Sequence, residues 1–440
     1  MSTDGGLSRR GFMLGAAGLA AGGAAPAAGL SIGSAARPMP AEREAAQLPN
    51  APDFNFLRAG TGRFTAADRP WDGIDIKYIV IHDTEASYGD TLSFFHGASD
   101  GAGAATHYVI RSWDGRVTQM VPTNHIAFHT GNFWYNMHSI GIEHEGYLSH
   151  GHRWYTEAQY QSSAKLVRYL ADRFNIPLDR EHIIGHEEIP AEKAEGSAKQ
   201  HYDPGPFWDW AYYFRLLDAP LYKERDSAPD GPDVIALMPR FADNYHTLTD
   251  CNNGCVDLPS QASNVVYLHT QPSDDSSLLS DPALHTAGLP GTSQTWDWSA
   301  RAVVGQRFVV ADRTESWTAV WFGGHKGWFH DPDHRIAAPA VGEVVTPRDG
   351  RDSIPVYGTA YPERSAFPAH IEPDDIVPLQ YRIPAGQRYV AVAIYHSDDY
   401  QGSAAHPDDR VRVVGDRQLV EISYNHRRAF VDMDDIHYLT

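Results

Sequence analysis

The segment from Lys77 to Thr84, which reads KYIVIHDT, constrains this chain more than any other. Tyr78 to Ile81 form an apolar, largely β-branched run that is typical of a strand buried on both faces. The run ends at once in His82 and Asp83, and side chains at such a point lie on a rigid element beside a crevice. An imidazole there can hold a metal or transfer a proton. Because a core histidine with both ring nitrogens satisfied is the alternative, a role for His82 depends on partners elsewhere.

Two further polar clusters follow downstream. The first reads IIGHEEIP, in which an apolar pair and a glycine lead into His186. The second reads HYDPGPFW, whose Pro-Gly-Pro run excludes regular structure and places Asp203 in a rigid turn. Two histidines and a carboxylate from separate segments, with a fourth position left for water, are what a catalytic zinc requires. The clusters therefore predict a metal centre.

The segment from Thr84 to about Pro220 alternates in a way that predicts an α/β domain with a mixed central sheet flanked by helices. His107 to Val121 reads as a β-hairpin around an Asp-Gly turn. Ser139 to Gly146 reads as another strand. Thr156 to Phe174 carries apolar residues at helical spacing, which predicts an amphipathic helix with Thr156 as its N-cap.

Charge and cysteine content limit the class of partner. The chain has 36 basic and 56 acidic residues, a net charge of −20. Since phosphate binding needs clustered Lys and Arg, this balance excludes nucleic acid as a partner. The two cysteines, Cys251 and Cys255, lie in CNNGC, and we expect them to form a small disulfide loop.

The N-terminus predicts export. Arg9 and Arg10 precede a Gly- and Ala-rich run that extends to about Ile32, and small residues follow at 34–36. This pattern is typical of a twin-arginine signal peptide over residues 1–36, with a retained membrane anchor as the alternative. Residues 37–55 read as a Pro- and Ala-rich linker. No other apolar stretch approaches the ~20 residues of a membrane span, so we expect no stable span after processing.

Six motifs carry a family resemblance: IVIHDT, ATHYVI followed by WDG, FHTG, SIGIEHEG, IIGHEEIP and YDPGPFW. In order and approximate spacing they resemble those of the zinc-dependent N-acetylmuramoyl-L-alanine amidases, the type 2 amidase family related to peptidoglycan recognition proteins. The resemblance covers 56–217 and implies a catalytic domain at 56–220. Matched by position, it implies one zinc ion held by His82, His186 and Asp203.

The resemblance also implies catalytic roles. Strand alternation places Glu143 and Glu145 on the same face, and only the resemblance selects Glu143 as the group that activates the attacking water. Many bacterial members have a lysine two residues before the DPGP aspartate, where this chain has His201. We expect His201 to stabilise the oxyanion, with Lys199 as the alternative. The position of His129, in FHTG, implies a substrate contact.

The remainder of the chain changes character. Residues 221–259 read as a linker, with a packing extension as the alternative for 221–245. Residues 260–337 resemble a small all-β, bacterial SH3-like barrel domain. A second, looser copy is predicted at 343–440. In this family such modules bind wall peptides, and a spacer or a lid packed on the catalytic domain is the alternative.

The expected activity is hydrolysis of the amide bond between N-acetylmuramic acid and L-alanine in peptidoglycan. The expected partners are the glycan strand and its stem peptide, and the expected location is secreted or cell-wall associated. A catalytically silent peptidoglycan-binding receptor is the alternative function. The presence of His82, His186, Asp203 and Glu143 together favours the enzyme.

Overall fold

The computed structural model describes residues 52–97, 103–221, 233–251, 254–401 and 411–439. The predicted signal peptide, 1–36, and most of the predicted linker, 37–55, lie outside these ranges. Within the described ranges, the helices are all too short or too polar to cross a membrane.

The first domain alternates strands and helices. Its strands are β1 (Asn55–Phe56), β2 (Phe64–Thr65), β3 (Tyr78–Asp83), β4 (Tyr108–Ile110), β5 (Val117–Gln119), β6 (Ile126–Ala127), β7 (Ser139–His144) and β8 (Ile183–Gly185). Its α-helices are α1 (Tyr88–His96), α2 (Phe133–His138), α3 (Gly151–Trp154), α4 (Glu157–Phe174) and α5 (Trp210–Leu216).

The central sheet has the strand order β1-β5-β4-β7-β3-β8. Strands β4, β7, β3 and β8 run parallel, while β5 pairs antiparallel with β4, so the predicted mixed sheet and hairpin are confirmed. The register places His82 directly beside Glu143, and Ile81 beside Gly185. Because parallel strands end at the same edge of a sheet, the polar residues that follow β3, β7 and β8 meet there.

Helix α4 covers one face of this sheet. Thr156 is its N-cap, as predicted, and its hydroxyl accepts a hydrogen bond from the Gln159 backbone N–H at 3.2 Å. The buried stripe of α4 packs with α5 against the side chains of Ile79 and Ile81. Strand β3 is thus held through its odd-numbered residues by the helices of its own domain.

The opposite face of β3 is covered by the C-terminal region, residues 233–439. Tyr78 and Val80 lie in one apolar cluster with Trp134 of α2 and with Leu419 and Phe430 of the C-terminal region. This apolar surface explains why β3 is buried along its whole length. It also places the C-terminal region close to the residues that follow β3 and β8.

The C-terminal region is rich in strands, as predicted. They are β9 (Val234–Leu237), β10 (Tyr245–His246), β11 (Thr249–Asp250), β12 (Val256–Asp257), β13 (Gln261–Ala262), β14 (Val265–Tyr267), β15 (Arg301–Val303), β16 (Arg307–Arg313), β17 (Trp317–Phe322), β18 (His325–His330), β19 (Ala337–Pro339), β20 (Glu343–Pro347), β21 (Ser353–Pro355), β22 (Arg382–Pro384), β23 (Tyr389–Gln401), β24 (Val411–Ser423), β25 (Arg428–Asp432) and β26 (Ile436–Leu439).

Two five-stranded antiparallel sheets organise this region, with the orders β18-β17-β16-β9-β19 and β25-β24-β23-β20-β26. Strand β9 lies inside the first sheet, although 221–259 was predicted to be a linker. The difference arises because a four-residue apolar run is too short to show a period of its own. The Cys251–Cys255 disulfide is present.

Candidate active site

Three side chains converge at the edge of the sheet where β3 and β8 end. His82 is the last residue but one of β3, His186 is the first residue after β8, and Asp203 lies in the turn before Pro204. All three are buried, and their potential ligand atoms lie within 4.8 Å of one another. The structure therefore brings together the three residues that the sequence assigned to a metal.

The hydrogen bonds of His186 fix which ring nitrogen faces the centre. Its Nε2 lies 3.0 Å from the carbonyl oxygen of Thr130, and because a carbonyl only accepts, Nε2 carries the proton. Burial lowers the pKa of His186 to about 4, so the ring is neutral at pH 7. Its Nδ1 lone pair then faces Asp203 Oδ1 across 3.0 Å. Two hydrogen-bond acceptors meet at this point.

The same arrangement recurs at His82, through a chain of three hydrogen bonds. The Ser139 hydroxyl donates to the carbonyl oxygen of Tyr135 at 2.6 Å, so Ser139 Oγ accepts from His129 Nε2–H at 3.1 Å. His129 Nδ1 then accepts from His82 Nε2–H at 2.9 Å. In the neutral form of His82 the remaining lone pair is then on Nδ1, which lies 3.2 Å from Asp203 Oδ2.

The convergence of two imidazole lone pairs on one carboxylate fits a bound cation. Without a cation, two pairs of acceptors face each other in a buried site, which is unfavourable. Two nitrogens and one carboxylate oxygen form a donor set of the kind that zinc takes in catalytic sites.

Glu143 stands beside this centre. Its side chain projects from the same sheet face as that of its register partner, His82, and it is 8% exposed. Its Oε2 has no hydrogen-bond partner among the residues that the structure describes. Burial, and secondarily the charge of Asp203, raise the pKa of Glu143 well above its usual value. A buried carboxyl of this kind suits general acid–base chemistry.

His201 lies at the open side of the centre. Its side chain is 54% exposed, its Nδ1 lies 3.6 Å from Asp203 Oδ1, and its ring centroid is 4.8 Å from that of His186. The alternative residue, Lys199, is exposed at the end of a 3-10 turn formed by Ala194–Lys199. Of these two residues, His201 is therefore the one whose side chain the structure holds against the centre.

His129 occupies a different place from the one predicted. Its two ring nitrogens bond to His82 and Ser139, and its side chain lies against Gly141, where an added Cβ would come within 2.5 Å of His129 Nδ1. Neither ring nitrogen is left for a ligand in the cleft. The structure thus makes His129 the partner of His82, whereas the sequence predicted a substrate contact.

Asp83 and Glu85 add two further carboxyl groups near the centre. The sequence analysis gave neither of them a role. Asp83 accepts a hydrogen bond from the Tyr155 hydroxyl at 2.7 Å, and its backbone N–H donates to Asp203 Oδ2 at 3.3 Å. Burial raises the pKa of Glu85 to about 7, although its hydrogen bond from Leu148 N–H opposes the shift. The acidic run HDTE was the signal available in the sequence.

Comparisons with known proteins agree with this site. The N-acetylmuramoyl-L-alanine amidase family profile matches residues 72–206. The chain is 30% identical to N-acetylmuramoyl-L-alanine amidase A of Achromobacter lyticus over 156 residues, which is 32% of this chain and 82% of that protein. It is 35% identical to the 1,6-anhydro-N-acetylmuramyl-L-alanine amidase AmpD of Citrobacter freundii over 126 residues, 27% of this chain and 60% of that protein.

One solved structure, a selenomethionine derivative of AmpD, is 26% identical. The match covers 40% of this chain and 98% of that chain, with a TM-score of 0.31.

A mixed sheet whose strand ends gather two histidines and an aspartate beside a buried glutamate defines an α/β enzyme with a candidate metal centre. With a relative 30% identical over 82% of its length, the chain belongs to the N-acetylmuramoyl-L-alanine amidase family, and it is an enzyme of that activity.

Proposed function

We propose that this amidase is an exported zinc enzyme that separates the stem peptide from the glycan strand of peptidoglycan. The observation that carries the zinc assignment is the pair of Nδ1 lone pairs, from His82 and His186, that face the carboxylate of Asp203. Zinc held there supplies Lewis-acid chemistry, since it lowers the pKa of a water molecule from ~15.7 toward ~7 and polarises a carbonyl.

The residues of the chain carry the proton transfers. The bond broken joins the lactyl carbonyl of muramic acid to the nitrogen of L-alanine. Glu143 takes a proton from the attacking water and delivers it to the leaving amine, which leaves a carboxyl group on the sugar and a free amine on the peptide. His201, on the open side of the centre, donates to the oxyanion as it develops.

Zinc content and stem-peptide release, measured together on the purified mature protein, test this proposal. We expect peptides with a free N-terminal alanine, lost on chelation and restored by zinc. Bound zinc without release would favour the silent receptor. Absence of zinc would refute the metal assignment.

Export and the C-terminal modules form the rest of the proposal. Arg9 and Arg10 support a twin-arginine signal, and two five-stranded antiparallel sheets support modules of the SH3-like kind. N-terminal sequencing of the mature protein from its producing cell tests the first, and an N-terminus at Met1 would contradict it. Sedimentation with insoluble peptidoglycan of the Glu143→Gln variant, which should not consume its ligand, tests wall binding.

A further inference from the structure

The side chain of Arg427 reaches from the C-terminal region into the catalytic domain. Arg427 lies in the turn between β24 and β25 and is 5% exposed. Its Nη1 donates to the carbonyl oxygens of Glu187 at 2.9 Å and Ile189 at 2.8 Å. Its Nη2 donates to those of Gln200 at 3.2 Å and His201 at 2.7 Å.

These four carbonyls belong to the two segments that carry candidate metal ligands. Glu187 to Ile189 directly follow His186, and Gln200 and His201 shortly precede Asp203. Short 3-10 turns and irregular backbone connect the two segments, so no strand ladder holds them in place. The planar fork of an arginine can bond several carbonyls in a fixed geometry, whereas a lysine offers only a point charge.

Arg427 is itself held rigidly. Its guanidinium carbon lies 4.4 Å from the ring centroid of Trp298, and its backbone N–H donates to Asn425 Oδ1 at 2.8 Å. Asn425 in turn donates through Nδ2 to Asp281 Oδ2 at 3.0 Å. The donor that joins the two ligand segments is therefore fixed by the packing of the C-terminal region.

We infer that Arg427 is a positioning residue of the metal centre, which makes the C-terminal region part of the active-site architecture. Arg427 acts by holding the backbone on either side of His186 and Asp203 at the separation that lets both bind one ion. Outer partners of this kind commonly set metal affinity. The inference rests on the proposed zinc site.

The test is the zinc dissociation constant of full-length Arg427→Lys, measured by competition with a chromogenic chelator. We expect the constant to rise by ~10–100-fold over that of the parent. Arg348→Lys is the matched control, because Arg348 also donates to two carbonyls, those of Ile436 and Met433, but far along the chain from the ligands. Its dissociation constant should equal that of the parent.

A second control separates positioning from general stability. Val320→Ala removes buried volume from the apolar cluster of the first C-terminal sheet, so it should lower the melting temperature without changing zinc affinity. If Arg427→Lys does not fold, Asn425→Ala, which frees the Arg427 backbone, should raise the constant several-fold. If Arg427→Lys and Asn425→Ala, where they fold, both bind zinc as tightly as the parent, the inference is overturned. A parent that binds no zinc would instead refute the cofactor assignment on which it rests.

Discussion

His186 Nδ1 and Asp203 Oδ1 face each other across 3.0 Å as two acceptors, because the one N–H of the neutral ring, on Nε2, donates to the carbonyl oxygen of Thr130. Asp203→Asn places an amide donor where one acceptor stood. In the metal-free protein we expect this variant to be more stable by ~1 kcal/mol, since a hydrogen bond replaces a repulsion. With zinc present it should lose metal binding, because a charged ligand is gone.

Thermal unfolding with and without zinc checks this prediction. A metal-free Asp203→Asn variant less stable than the parent would mean that His186 is protonated and ion-paired with Asp203.

Glu143→Gln should retain zinc and lose turnover by ~10²–10⁴-fold, because an amide cannot take the proton of the attacking water. Glu145→Gln is the matched control on the same segment. Glu145 accepts from the backbone N–H groups of Tyr88 and Ser112, both at 2.8 Å. A glutamine has only one acceptor oxygen, so it keeps one of these two hydrogen bonds and loses the other. We expect that control to lose ~1–2 kcal/mol of stability and to keep its turnover. Normal turnover in Glu143→Gln would refute its role.

His129→Leu removes the acceptor that orients His82 while keeping an apolar volume in the same place. We expect zinc affinity to fall by ~10–100-fold with KM near that of the parent, because the ring of His82 is then free to turn. Ser139→Ala, one hydrogen bond further away, should have a smaller effect in the same direction. A higher KM at unchanged zinc affinity would instead support the substrate contact predicted from the sequence.

His144 makes the metal-free protein sensitive to acid. Its Nδ1–H donates to the His82 carbonyl at 2.9 Å, and burial lowers its pKa from 6.5 to about 3. At pH values between these two, His144 is protonated in the unfolded chain but not in the folded chain. The free energy of unfolding therefore falls as pH drops below about 6.5. When the pH is lowered from 7 to 4.5, we expect the free energy of unfolding to fall by about 2–3 kcal/mol less in His144→Gln than in the parent.

Urea unfolding in chelator at the two pH values measures this difference. His396→Gln, at an exposed histidine, should follow the parent. Equal losses in the parent and in His144→Gln would contradict the prediction.

Strong local patterns made part of the fold predictable. The apolar run before His82, the Asp-Gly turn and the cap at Thr156 each act within a few residues, so sequence alone located β3, the hairpin and α4. Strand β9 was missed because its four residues gain their identity only from pairing with β16 and β19. The same limit applied to His129, whose role depends on its ring lying against Gly141 and beside His82.

The sequence by itself determined which residues can form the centre: His82, His186 and Asp203 follow from residue type, local context and motif order. Only the tertiary structure decided how they are held. The protonated nitrogen of each imidazole depends on carbonyls and rings from other segments, and Arg427 reaches the ligand loops from more than two hundred residues away in the chain. Such contacts leave no local pattern, because packing and not periodicity brings the partners together.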